Sequence, residues 1–141
     1  MRFALPMAVI CASDHPLARA RRPTWKALAQ WPWILPAQGT ALRDDTEELF
    51  KLQGIKPREA GIESASLFTN SVLLRDLGAL SIAPAELARR LAGEGLFRML
   101  PLKVPPVFGP NCVLTLKGRE LSAALQSFLT ALRRVVAPIC A

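Results

Sequence analysis

Residues 64–84, SASLFTNSVLLRDLGALSIAP, read as a loop, a helix and a buried strand, and the same pattern stands just upstream. In the upstream copy Trp33-Ile34-Leu35 is the strand, PAQG the loop and 41–53 the helix; Gly54 stops it, and 57–63 forms the next strand. In the second copy Leu67, Val72, Leu73, Leu74 and Leu77 mark a helical face, Ser64 or Ser66 is placed to cap it, and Gly78 stands where a helix ends. Leu80, Ile82 and Ala83 then form a short apolar run closed by Pro84. Parallel neighbours need helical crossovers, so two such units in succession predict an α/β fold with a small, mostly parallel sheet flanked by helices. Both loops then lie on one edge of that sheet, at the carboxyl ends of its strands.

The remaining segments fit around this frame. Residues 7–11, MAVIC, are short and apolar, as a strand covered on both faces should be. DHPLA follows as a turn, with Pro16 suited to a first helical turn, and Thr24 is a cap for a short helix at 25–30. Trp31 and Trp33 flank Pro32 and, at alternate positions, share a face as packing residues. In the helix at 41–53, Leu42, Leu49, Phe50 and Gln53 are expected on the sheet, with Arg43, Asp44, Asp45, Glu47 and Glu48 facing solvent. Glu47 and Glu48 diverge by about 100° as helical neighbours, so they read as charged surface rather than a catalytic carboxylate pair. After Pro84 the chain predicts a helix at 85–91 ending at Gly93 or Gly95, then a strand at 96–102 and an extended proline-rich connection at 103–110. A strand at 112–116 and a Ser122-capped helix at 123–136, apolar along Leu125, Phe128, Leu129 and Leu132, complete it.

Composition narrows the function. At 141 residues and 51% hydrophobic the chain is about one folded domain, and no apolar run approaches the roughly 18–20 residues of a membrane span. The formal charge of +7 is spread, apart from Arg19, Arg21, Arg22 and Lys26, and no zinc pattern, stacking aromatics or recognition helix accompanies it. It reads as a solvated basic surface, compatible with small anionic ligands. Cys11, Cys112 and Cys140 are too far apart for a metal pair or a disulfide framework, which fits reduced thiols and a cytoplasmic location. His15 is the sole histidine, so a histidine metal cluster or catalytic triad lacks its parts. Residues 1–13 imitate a short secretory leader, but Pro6 interrupts the apolar run and Arg2 is its only basic residue; a strand at 7–11 would instead mean that the chain begins in mid-fold.

The loops PAQGT and ESAS bring two helix amino termini to one edge, where unpaired N–H groups and the helix dipole favour a carboxylate or other anion. Gly39 permits close backbone approach, and Thr40, Ser64 and Ser66 supply hydroxyls, although capping alone accounts for hydroxyls there. GxSxG, P-loop and GxGxxG patterns are absent from the sequence, and neither Cys11 nor Cys112 has a histidine at a telling spacing, so no enzyme activity, cofactor or metal is expected.

The order DHPLA, WPWILPAQGTALR, GIKPREAGIESAS, LLRDLGALSIAP, LFRMLPL and CVLTLKGRELSAALQSFLTALRR resembles the effector-binding domain of LysR-type transcriptional regulators over about residues 7–136. It differs in having LGALSIAP where the family commonly ends in an LGIALLP-like run, and Ser64 where threonine is frequent. The resemblance implies a periplasmic-binding-protein-like (type II) architecture in which a small effector between two lobes alters the grip of a dimer or tetramer on DNA. On that reading 16–110 is the second lobe, 1–15 enter from the first lobe and hinge, and 111–141 return as a crossing strand and the first lobe's terminal helix. The winged helix-turn-helix and most of the first lobe are missing from these residues, so DNA contact would come only through a domain outside them. The family's pocket loops map onto Gly39, Thr40, Ala41 and Leu42 and onto Ser64, Ala65 and Ser66. The family's dimer contacts map onto 41–53, and self-association through the missing lobe's contact surfaces is expected. The alternative is a periplasmic solute-binding protein of an uptake system, which would require the amino terminus to be a cleaved leader.

Overall fold

The computed structural model describes residues 2–118 and 120–139. In chain order the strands are β1 (Arg2–Phe3), β2 (Met7–Cys11), β3 (Pro32–Leu35), β4 (Arg58–Glu63), β5 (Leu80–Pro84), β6 (Arg98–Met99) and β7 (Asn111–Cys112). The helices are α1 (Trp25–Leu28), α2 (Ala41–Leu52), α3 (Leu67–Leu77), α4 (Ala85–Gly93) and α5 (Ala123–Val136). The chain forms two compact units, the larger being Pro6–Phe108 and the smaller combining the described residues of 1–5 and 109–141.

Side-chain alternation along β3 sets the layering of the larger unit. Trp33 and Leu35 join Val9, Cys11, Leu80, Leu28 of α1 and Phe50 of α2 in one buried cluster. Ile34, one residue out of phase, joins Ile10, Ala83, Leu74 of α3 and Ala88 of α4 in another. The sheet is therefore covered on both faces, with α1 and α2 on one side and α3 and α4 on the other. Trp31 packs against the same cluster as Trp33, whose ring stands edge-on to Phe50 with centroids 5.0 Å apart and donates Nε1–H to the Leu28 carbonyl at 3.1 Å.

The sheet order is β4-β3-β5-β2-β6. β3 is parallel to β4 and β5, while β2 is antiparallel to both β5 and β6. Four strands thus run one way and β2 runs against them. The β3–β4 register slips between Trp33 and Leu35, where Gly61 takes φ +74° and absorbs the extra residues.

Several expectations change. Along α3 Asn70, Ser71 and Leu74 are buried and Leu67 and Leu73 half-buried, whereas Val72 and Leu77, expected in the core, are exposed. Asn70 and Ser71 are admitted because hydrogen bonds satisfy them: Asn70 Nδ2 donates to Ser81 Oγ at 3.3 Å, and Ser71 Oγ donates to the Phe68 carbonyl at 2.6 Å. Arg43, expected in solvent, is buried on α2. The strand expected at 96–102 is regular only over Arg98–Met99; the Leu100 N–H still donates to the Val9 carbonyl at 2.9 Å, and Pro101, which has no N–H to give, follows. In the smaller unit β1 and β7 pair antiparallel, Arg2 opposite Cys112 and Phe3 opposite Asn111. The strand expected at 112–116 is instead Asn111–Cys112, and Leu114 and Leu116 are 89% and 70% exposed. α5 spans the expected residues, but Leu125 and Phe128 of its apolar side are exposed. Cys140 lies outside the described residues.

His15 is buried at the start of the turn Pro16–Arg19, where its Nδ1 accepts from the Leu17 N–H at 3.1 Å. Nε2 therefore carries the proton and donates to the Gly78 carbonyl at 3.3 Å, tying this turn to the end of α3. Burial holds the imidazole below its ordinary 6.5, outweighing the opposing pull of the Gly78 carbonyl and Asp14. Protons then bind the unfolded chain more readily than the folded one, so stability falls as pH drops below about 6.5. Urea unfolding should show this loss in the wild type and a flatter profile in His15→Gln. In the same assay Leu74→Ala should cost about 2–5 kcal/mol and Val72→Ala no more than about 0.5, because only Leu74 leaves a cavity.

Candidate functional site

α2 and α3 both begin at the edge where β3 and β4 end, and the two loops are bonded to each other. The Ser64 N–H donates to the Leu35 carbonyl at 2.8 Å, which extends the parallel pairing into the second loop. Within the first loop Gly39 takes φ +77°, a conformation that side chains oppose, and turns the chain into α2. Thr40 Oγ1 accepts from the Arg43 N–H at 3.3 Å and donates to the Ala37 carbonyl at 2.7 Å. Ser66 Oγ accepts from the Thr69 N–H at 3.3 Å, and Ser64 Oγ from the Ser66 N–H at 3.2 Å. Gly39, Thr40, Ala41, Ala65 and Ser66 are exposed, while Leu42 and Ser64 are half-buried. The edge thus gathers all seven of these residues around two helix amino termini. The hydroxyls of Thr40 and Ser66 serve as caps, and Ser64 keeps its hydroxyl proton available as a donor.

Three residues with parts at this edge carry no obvious sequence signal. Arg43 Nη1 donates to the Pro36 carbonyl at 3.0 Å and to Glu63 Oε1 at 3.2 Å, while its Nε donates to Glu47 Oε1 at 2.7 Å. Glu63 Oε2 in turn accepts from the Gln38 N–H at 3.3 Å. Beneath the second loop, Asn70 Nδ2 reaches the Ser64 carbonyl at 3.4 Å as well as Ser81, whose hydroxyl donates to the Ile34 carbonyl at 3.3 Å. Only the Arg43–Glu47 pair, at the i, i+4 helical spacing, is readable beforehand.

His15 and Cys11 both lie away from this edge. His15 binds Gly78 at the far end of α3, ~16 Å away for an 11-residue helix at 1.5 Å per residue. Cys11 pairs with Leu80 at the opposite edge, where burial pushes its thiol up to about 11 and leaves it a poor nucleophile. Among the described residues no group of His, Cys, Asp and Glu is placed to hold a metal ion. What the edge offers is hydrogen-bond donors and helix-dipole charge, which suits binding.

A family profile described as LysR substrate binding domain matches residues 3–137. The chain belongs to the LysR substrate-binding family. Among curated relatives it is 30% identical over 128 residues to the HTH-type transcriptional regulator GbpR of Azospirillum brasilense, covering 90% of this chain and 37% of that protein. The chain thus spans little more than a third of the relative's length. The solved fold of the family is shared by the Synechocystis PCC6803 CcmR regulatory domain in complex with 2-PG, at TM-score 0.74 and 23% identity over 96% of this chain and 65% of that one. The effector binding domain of QuiR in complex with shikimate follows at TM-score 0.70 and 20% identity, covering 98% and 66%. The effector domain of AmpR from Pseudomonas aeruginosa has the same score and identity, covering 98% and 63%. These similarities establish the type II periplasmic-binding-protein-like fold for this LysR-family chain.

If Thr40 and Ser66 act as caps, Thr40→Ala and Ser66→Ala should each lower the unfolding free energy by about 1 kcal/mol, and Ala65→Ser should leave it nearly unchanged. Urea denaturation of the three variants checks this.

Proposed function

We propose that this chain is the effector-sensing part of a LysR-type bacterial transcriptional regulator and that it binds a small carboxylate or other anion at the edge formed by Gly39, Thr40, Ala41, Leu42, Ser64, Ala65 and Ser66. The observation that carries the reading is the Ser64 N–H bond to the Leu35 carbonyl, which brings two capped helix amino termini side by side. Ligands of open α/β sheets bind beyond the carboxyl ends of the strands, where these loops lie. The family membership and the small molecules named with the CcmR and QuiR domains support the same class of ligand.

On this reading the larger unit corresponds to the second lobe of the effector domain, and the smaller to a strand and the terminal helix of the first. DNA binding belongs to a helix-turn-helix elsewhere in the regulator. On this reading the regulator works in the cytoplasm as a dimer. Self-association of the isolated chain through exposed Leu114, Leu116, Phe128 and Val135 accompanies this reading. The family match gives no support to the uptake-protein alternative.

Nuclear magnetic resonance of the nitrogen-labelled chain, titrated with sodium sulfate and with shikimate as a carboxylate probe, tests the proposal. Millimolar ligand should move the amide signals of residues 39–42 and 64–66 and leave those of α4 in place. Unmoved signals at both loops would count against it.

A further inference from the structure

Arg43 is 4% exposed, whereas both carboxylates it meets, Glu47 and Glu63, are about half exposed at 49% and 45%. A surface ion pair leaves its cation in water; burying a guanidinium is unfavourable unless its donors are engaged. Here they are engaged across the site. One nitrogen, Nη1, holds both the Pro36 carbonyl of the first loop and the carboxylate of Glu63, the residue that immediately precedes the second loop. Glu63 closes the ring by accepting from the Gln38 N–H, so the first loop is held at Pro36 by Arg43 and at Gln38 by Glu63. Glu47 accepts from Nε and fixes the guanidinium to α2. Lysine has the charge but not the planar fork that serves three acceptors at once.

We infer that Arg43 is a positioning residue for effector binding, its guanidinium holding the 36–40 and 64–66 loops in the mutual placement that lets both helix starts meet one ligand. The inference rests on the binding edge proposed above. Arg43 also neutralises negative charge next to that edge, since without it Glu47 and Glu63 would face an incoming anion uncompensated. Grip and charge are separable. Arg43→Met removes both, Glu63→Gln weakens the grip while removing a negative charge, and Arg43→Met with Glu63→Gln removes the grip while restoring the charge balance between the two positions.

Sulfate affinity from amide shifts at Gly39 and Ser66 is read for each protein, together with amide hydrogen exchange at Gln38 and Ser64. Val9 and Ile82, in the sheet centre, report general loosening. Arg43→Met should bind sulfate about tenfold more weakly. It should also exchange faster at Gln38 and Ser64, with Val9 and Ile82 unchanged. Arg43→Lys should recover little of either, and the double variant should stay weak. Wild-type affinity in Arg43→Met, or its return in the double variant, overturns the positioning role, the latter by showing that charge alone acted. Should the wild type itself fail to bind sulfate, the binding-edge reading falls, and exchange at Gln38 and Ser64 decides the clamp by itself: faster in Arg43→Met supports it, unchanged overturns it.

Discussion

The last rung of the β3–β4 pairing, the Ser64 amide on the Leu35 carbonyl at 2.8 Å, is the contact on which the candidate site depends. Parallel strands that diverge into helices carry those helices' amino termini to the same edge, because each crossover returns the chain to its starting side. The rung keeps the two loops from separating where the strands end. It is secured from both faces of the sheet. Trp33 packs β3 onto Phe50 of α2, and Asn70 of α3 reaches both the Ser64 carbonyl and Ser81 of β5.

Buried polar side chains inside the larger unit stand where the backbone needs them. Thr46 donates back to the Leu42 carbonyl within α2, and Ser81 bridges Asn70 to the Ile34 carbonyl of β3. Asn70 Oδ1 is buried with no partner among the described residues, the one such atom found there. Its amide nitrogen compensates by joining the second loop to β5. A leucine at 70 would fill the core and release that loop. The arrangement favours defined loop geometry over apolar burial, as a binding edge requires.

Much of this was legible in the sequence, for identifiable reasons. The caps Thr24, Thr40, Ser66 and Ser122 and the stop Gly78, with φ +54°, are local signals, and they place α1, α2, α3 and α5 to within a residue or two. The alternation of Trp31 and Trp33 gave their common face. Direction is not local: MAVIC reads the same whether parallel or antiparallel, so the reversal of β2 between β5 and β6 was invisible. Hydrophobicity misled on α3, where Val72 and Leu77 look like core but Asn70 and Ser71 occupy it through hydrogen bonds. Arg43 misled in the other direction, since a charge on an amphipathic helix reads as solvent-facing unless its distant partners, Pro36 and Glu63, are known.

The most direct test is a crystal structure of the chain grown or soaked with millimolar sulfate and, separately, with shikimate. The account predicts an anion held by backbone amides at the starts of α2 and α3, touching both the 39–42 and the 64–66 segments. An edge without ligand under those conditions, or a ligand bound to one loop alone, would contradict it.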